Sequence, residues 1–259
     1  MAEADRQLLF SQQDADTLIR VWQQGNRRWL DFNDGLIQSG ILLDKPDTLP
    51  LVLNRAMLAG VMFVEQPKTV LLAGTGGGST ARYFSHHFPE VVGRAVEQSE
   101  AIVTIAKSYF DFPTKGNWKI ITADIVNYVQ QCQQKYDLIV IDIAEGQKTP
   151  EWLINTDFLA QCRSILTKYG HISINLLAKD ADEFLCYLSS IRNAFDGMTV
   201  CLSLPDHRNI VTMAYNHQPL FSAEDMASRL PILDALWGLE FSDFYRQILK
   251  DNPEGSGVI

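Results

Sequence analysis

The chain has 259 residues, 46% of them hydrophobic and 20% charged, and its 22 basic and 31 acidic side chains give a net charge of −9. That balance excludes intrinsic disorder, which needs low hydrophobicity with high net charge, and argues against a nucleic-acid-binding surface. Four scattered cysteines (Cys132, Cys162, Cys186 and Cys201) exclude a disulfide scaffold, and apolar runs such as Leu138–Ile143 and Ile172–Leu177 fall far short of the roughly 20 residues of a spanning helix.

In chain order, residues 12–24 read as an amphipathic helix with Leu18, Ile19, Val21 and Trp22 apolar and Gly25 as its stop. The start, with Glu3, Asp5 and Arg6, lacks the basic and apolar stretches of a signal peptide, so the cytoplasm is the expected compartment. Two strand-like runs, 28–33 and 36–43, meet at Asn33-Asp34-Gly35, a hairpin signal, and 51–64 looks helical after Pro46–Pro50. Residues 1–65 are therefore expected to form a small helix-plus-hairpin cap.

From Lys68 the rhythm changes to strands (69–74, 91–97, 118–123, 136–142, 171–177) alternating with helices (79–87, 100–110, 125–134, 156–166, 181–195). Short apolar strands separated by mixed-face helices predict a Rossmann-like α/β fold with a mostly parallel sheet. The runs 198–204 and 209–215 are too close for a crossover and should pair antiparallel. The sheet domain is expected over 66–217, and the C-terminal helices and tail over 218–259. Within the last part, 223–250 is helical in pattern and 251–259 reads as a frayed tail.

The strongest local signal is Gly74-Thr75-Gly76-Gly77-Gly78-Ser79, a glycine-rich turn between a strand and a helix. Glycine there lets a ligand approach the backbone, beside the free N–H groups of a helix start. Gly74 and Gly76 fit a dinucleotide turn, but Ser79 stands where the third glycine of G-x-G-x-x-G belongs. Glu97 ends the second strand, where a carboxylate grips ribose hydroxyls in NAD and adenosyl sites alike. Asp124 and Asp142 close the next two strands. Carboxylates at three successive strand ends, on the edge where open α/β sheets bind ligands, favour an adenosyl group over NAD.

These segments together resemble the spermidine synthase (aminopropyltransferase) family, within the class I S-adenosylmethionine-dependent methyltransferase fold. They are Val70–Arg82, Ala95–Phe110, Ile121–Val129, Lys135–Pro150 and Phe158–Asn175, with Asn209-Ile210-Val211 and the leading hairpin around Leu36–Ser39. The resemblance implies a seven-stranded sheet, S-adenosylmethionine or its decarboxylated form as cofactor, a small amine acceptor and a homodimer. It implies that Gly74, Gly76 and Gly78 border the cofactor, Glu97 holds the ribose and Asp124 the adenine amino group. Gln38 falls near a cofactor-contacting glutamine. Asp142 would orient and deprotonate the attacking amine, and Glu145 falls on a second acidic position of the same loop.

The chain also departs from the family. The aspartate that contacts the aminopropyl end of the cofactor is replaced by Gly77, and Thr48–Leu53 lacks the usual tyrosine after the hairpin. The loop after Asp142 reads Ile143-Ala144-Glu145-Gly146-Gln147, without the serine-rich, proline-bearing gate of the synthases. A small-molecule methyltransferase, or a relative that binds a nucleoside without turnover, therefore stands beside aminopropyl transfer. Neither His86-His87 nor another motif has metal-ligand spacing, so no metal is expected. Trp152 reads equally as a pocket wall and as packing.

Overall fold

The computed structural model describes residues 6–259. Its first elements correct the predicted helix at 12–24. That stretch is a hairpin of β1 (Gln7–Asp14) and β2 (Thr17–Gln24), which continues into β3 (Arg27–Asp31) and β4 (Ile37–Leu42) as a four-stranded antiparallel sheet. In β2 the buried residues are Ile19 and Val21, two apart, with Arg20 and Trp22 on the other face. Period two, carried by β-branched and aromatic residues, outweighs the helical spacing. The turn rests on Ala15, held at φ 48°. The turn after β3 follows the sequence reading, with Asn33 (φ 62°) and Gly35 (φ 80°) in left-handed conformations.

The predicted helix over 51–64 is instead a short α1 (Val52–Ala56) followed by a 3-10 turn, Ala59–Phe63. Beyond it come β5 (Thr69–Ala73), α2 (Ser79–His87), β6 (Val92–Glu97), α3 (Glu100–Tyr109), β7 (Trp118–Thr122) and α4 (Ile125–Gln131). Then follow β8 (Tyr136–Ile141), α5 (Thr156–Ser164), β9 (Leu166–Leu177), α6 (Ala181–Ala194), β10 (Thr199–Ser203) and β11 (Asn209–Tyr215). The seven strands β5–β11 form a mostly parallel sheet of order β10-β11-β9-β8-β5-β6-β7, with β11 antiparallel to both its neighbours. This is the predicted Rossmann-like α/β fold, with a four-stranded sheet rather than a helix and hairpin at the front.

The chain divides into two compact units: residues up to Asn54 with Gly74–Ile125, and Arg55–Ala73 with Val126–Ile259. In the first, Ile19, Val21, Leu30 and Ile41 of the front sheet bury against Ile102, Ile105 and Phe110, on and just beyond α3. Each such side chain contributes roughly 1.5–3 kcal/mol by leaving water. Arg28 closes the end of α3 by donating from Nη1 to the Tyr109 carbonyl at 2.7 Å.

In the second unit the chain ends in α7 (Met226–Trp237) and α8 (Phe241–Asp251). The expected frayed tail is instead docked on β10. Asn252 accepts from the Cys201 amide (2.9 Å) and donates to the Cys201 carbonyl (2.7 Å), and the Val258 amide donates to the Thr199 carbonyl (3.3 Å). Polar, glycine-rich residues conceal this from a hydropathy reading, yet they cover an edge strand whose backbone groups need partners.

His171 lies fully buried in β9 with neither ring nitrogen hydrogen-bonded, stacked on Tyr215 at 5.3 Å. Only glycine fits at position 60, where a Cβ would come 2.5 Å from the His171 ring. Burial pushes the imidazole down from 6.5 to about 3, against the opposing field of Asp137. Below pH 6.5 the unfolded chain therefore takes up a proton that the folded chain refuses until about pH 3. Stability should fall across that window by up to about 5 kcal/mol, a large share of a domain's total. Chemical denaturation of His171→Phe between pH 7 and 4 should show a flatter decline than the parent. An equal decline would assign the acid sensitivity to other groups.

Candidate functional site

The first unit carries the glycine turn. Gly74, Gly76 and Gly78 take φ of 82°, 50° and 74°, which L-residues rarely adopt, so these glycines are dictated by the backbone. Gly78 caps α2 without a side chain, so no side-chain acceptor fills the helix start. Behind the turn stands the hairpin strand β4. The Gln38 carbonyl and Ser39 lie 3.8 and 3.4 Å from where a Cβ on Gly76 would be, and buried Ser39 Oγ is 3.3 Å from Ser79 Oγ. The Gln38 side chain points elsewhere, donating to Asp34 at 3.1 Å. The front sheet thus brings the Ser39 side chain and the Gln38 carbonyl, rather than the Gln38 amide, to the glycine turn.

Glu97, the last residue of β6, is locked in place by the turn. Its Oε2 accepts from the Thr75 amide (3.0 Å) and its Oε1 from the Ser99 amide (3.1 Å). One hydrogen bond on each oxygen leaves each a further lone pair, the arrangement a vicinal diol can meet. Asp124 lies half-buried, two residues past β7, and β7 runs parallel to β6 with Thr122 opposite Glu97. The two carboxylates therefore share one sheet edge. Thr75 Oγ1 is buried with no hydrogen-bond partner, an orphan a polar ligand would satisfy. These features fit the nucleoside part of an adenosyl cofactor.

Gly77, the position that the family resemblance sets beside the cofactor's tail, has different surroundings. A Cβ on Gly77 would come 2.7 Å from Ser39 Oγ and 2.9 Å from the Phe110 ring. The aspartate that Gly77 replaces could not be restored without moving both. The substitution is built into the packing, and no carboxylate stands at that point of the turn.

In the second unit Asp142 follows β8 directly, its amide bonded to the Ala73 carbonyl at 2.9 Å. Burial pushes its carboxyl above the usual aspartate range, and a hydrogen bond from Asn175 pulls the other way. Asn175 Nδ2 donates to Asp142 Oδ1 at 2.9 Å, and Asn209 Nδ2 donates to Asn175 Oδ1 at 2.9 Å. Sequence reasoning placed both asparagines in family-like segments but gave neither a role.

Glu145 is exposed in a turn closed by its amide on the Lys148 carbonyl (3.0 Å). Its Oε1 accepts from Trp152 Nε1 at 3.3 Å, and the Trp152 ring meets Phe158 edge-on at 5.2 Å. Trp152 therefore packs and also orients the loop carboxylate. The loop is anchored at Thr149, whose amide and hydroxyl both bond the end of β9 at Leu177. Among the described residues no group of three His, Cys, Asp or Glu is placed to hold a metal ion, and no helix is long and apolar enough to cross a membrane. His86 and His87 instead face Asp47, at 3.7 and 3.5 Å.

A polyamine aminopropyltransferase of Chromobacterium violaceum is 29% identical over 241 residues, covering 92% of either chain. In fold, the chain is similar to a probable spermidine synthase from Corynebacterium glutamicum (TM-score 0.74, 20% identity, 86% of either chain). It is also similar to human methyltransferase-like protein 13 in complex with SAH (TM-score 0.66, 22% identity, 71% of this chain and 91% of that one). The spermine/spermidine synthase domain matches residues 54–197, the stretch that holds the glycine turn, Glu97, Asp124, Asp142 and Asn175. With more than half its length matched, the chain belongs to the spermine/spermidine synthase family.

Proposed function

We propose that the protein transfers an alkyl group, in the first instance aminopropyl, from an S-adenosyl sulfonium donor to a small amine. The observation that carries the reading is Glu97, whose two oxygens are aimed by the Thr75 and Ser99 amides so that a ribose diol can be held. Asp124, at the same edge, is the partner for the adenine amino group. When bound, the donor supplies an electrophilic carbon beside a positively charged sulfur. Positioning of the two reactants accounts for much of the acceleration in such displacements.

The protein's other task is to handle a proton. An acceptor amine is an ammonium ion near neutral pH and has no lone pair until it gives a proton up. Asp142 takes that proton. A carboxyl raised by burial is a stronger base than an ordinary aspartate, and it must be ionised to act. Activity therefore falls as the pH drops through its raised value. Glu145 offers a second carboxylate to a cationic acceptor.

One observation favours methyl transfer on the same scaffold. Packing against Ser39 and Phe110 keeps position 77 free of any side chain, so the turn sets no carboxylate against the one that S-adenosylmethionine carries and its decarboxylated form lacks. Calorimetry with methylthioadenosine, S-adenosylmethionine and its decarboxylated form separates the readings. Binding of all three, tightest for the decarboxylated form, supports aminopropyl transfer. Preference for S-adenosylmethionine favours methyl transfer, and binding of none overturns both.

A further inference from the structure

Three strands of the second unit bring together side chains far apart in sequence. In the parallel pairing of β8 with β9, Ile141 stands opposite Ile174, so the next residues, Asp142 and Asn175, are neighbours. In the antiparallel pairing of β9 with β11, Asn209 stands opposite Leu177 and Val211 opposite Asn175. Asn175 and Asn209 are thus diagonal neighbours on one face of the sheet. The hydrogen bonds run one way along this row, from Asn209 to Asn175 to Asp142.

The direction matters because an amide side chain has nearly the same shape at both ends. One end carries two donors and the other two acceptor lone pairs, and its surroundings decide which faces where. Asn175 is buried, so its orientation is decided by its two neighbours. With the Asn209 amide donating to its oxygen, Asn175 turns its NH2 toward the carboxylate. Reversed, it would set an oxygen against Asp142 Oδ1, a contact relieved only by protonating the carboxyl.

We propose that Asn209 is a positioning residue that acts through Asn175, holding the Asn175 amide in the direction that keeps Asp142 ionised with Oδ1 engaged. Oδ2, to which no described residue donates, is then the oxygen that takes the proton. That last role rests on the proposed function, whereas the direction of the amide does not. Of the charged groups on the adjoining loops and α6, Arg208 bonds Gln147 and the Ala178 carbonyl, and Glu145 accepts from Trp152. Glu183 accepts from the Lys179 amide and Asp180 accepts from the Glu183 amide, while Lys148, Lys179 and Asp206 stand on the same loops. Burial raises the Asp142 carboxyl, and the hydrogen bond from Asn175 lowers it.

The test is a double-mutant cycle read on the ligand-free protein, which follows the Asp142 carboxyl by carbon-13 NMR across pH. Asn175→Leu removes the donor and should raise the midpoint by about one pH unit, the scale of a hydrogen bond to a charged group. Asn209→Leu, at a half-buried strand start, should raise it by part of that amount. The double variant should match Asn175→Leu alone, because Asn209 has nothing left to act through. Asn175→Ala replaces Asn175→Leu if the larger side chain prevents folding. An unchanged midpoint in folded Asn209→Leu, or a double variant shifted by the sum of the single shifts, overturns the proposal. The acid limb of kcat/KM should move with the NMR midpoints. If the parent protein transfers no alkyl group at all, the proposed function fails while the NMR cycle still decides the direction of the amide.

Discussion

Asp142→Asn is expected to lower kcat about a hundred- to ten-thousand-fold, the range spanned by positioned general bases. Asparagine keeps the shape of the side chain and its bond to Asn175 can be remade, but it cannot accept a proton from an ammonium acceptor. Binding of the nucleoside should be unchanged, because the groups proposed to hold it are on other strands. The parent enzyme should lose kcat/KM toward acid, with a limb above the ordinary aspartate value of 3.8 because burial raises the carboxyl. Steady-state kinetics against pH, alongside calorimetry with methylthioadenosine, reads both parts. Full turnover in the variant would remove Asp142 from the chemistry.

Glu97→Ala should have the largest effect on binding. It removes the acceptor for any ribose hydroxyl and strands the Thr75 and Ser99 amides that now aim the carboxylate. Hydrogen bonds to a charged group contribute about 1.5–3 kcal/mol each, so a loss of two corresponds to at least a hundredfold in affinity. Glu97→Gln should fall between, since its NH2 end must face one of the two amide donors. Calorimetry with methylthioadenosine, with circular dichroism to confirm folding, checks the order parent, Gln, Ala. Equal affinities would move the nucleoside off this carboxylate.

Much of this arrangement was legible from single segments. The helix over 79–87 and the strand over 209–215 have the bounds their local patterns predict, and the glycine turn announced its backbone conformation. The β1–β2 hairpin was not legible. Its turn uses Ala15 and Asp16 rather than the Asn-Gly or Asp-Gly pairs that mark such turns, and Leu18, Ile19, Val21 and Trp22 satisfy a helical spacing as well. The Asn175–Asn209 row was invisible for another reason. Each asparagine is an ordinary polar residue near a strand end, and only the register of β11 against β9 makes them neighbours. Gly77 was legible as a missing aspartate, but that Ser39 and Phe110 close the space required the fold.

The most direct test is to incubate the protein with decarboxylated S-adenosylmethionine and a small diamine and to follow products by mass spectrometry. Methylthioadenosine is expected together with an amine heavier by one aminopropyl group, both formed at least about a hundredfold more slowly in Asp142→Asn. A folded parent protein that binds the donor and releases neither product would contradict aminopropyl transfer.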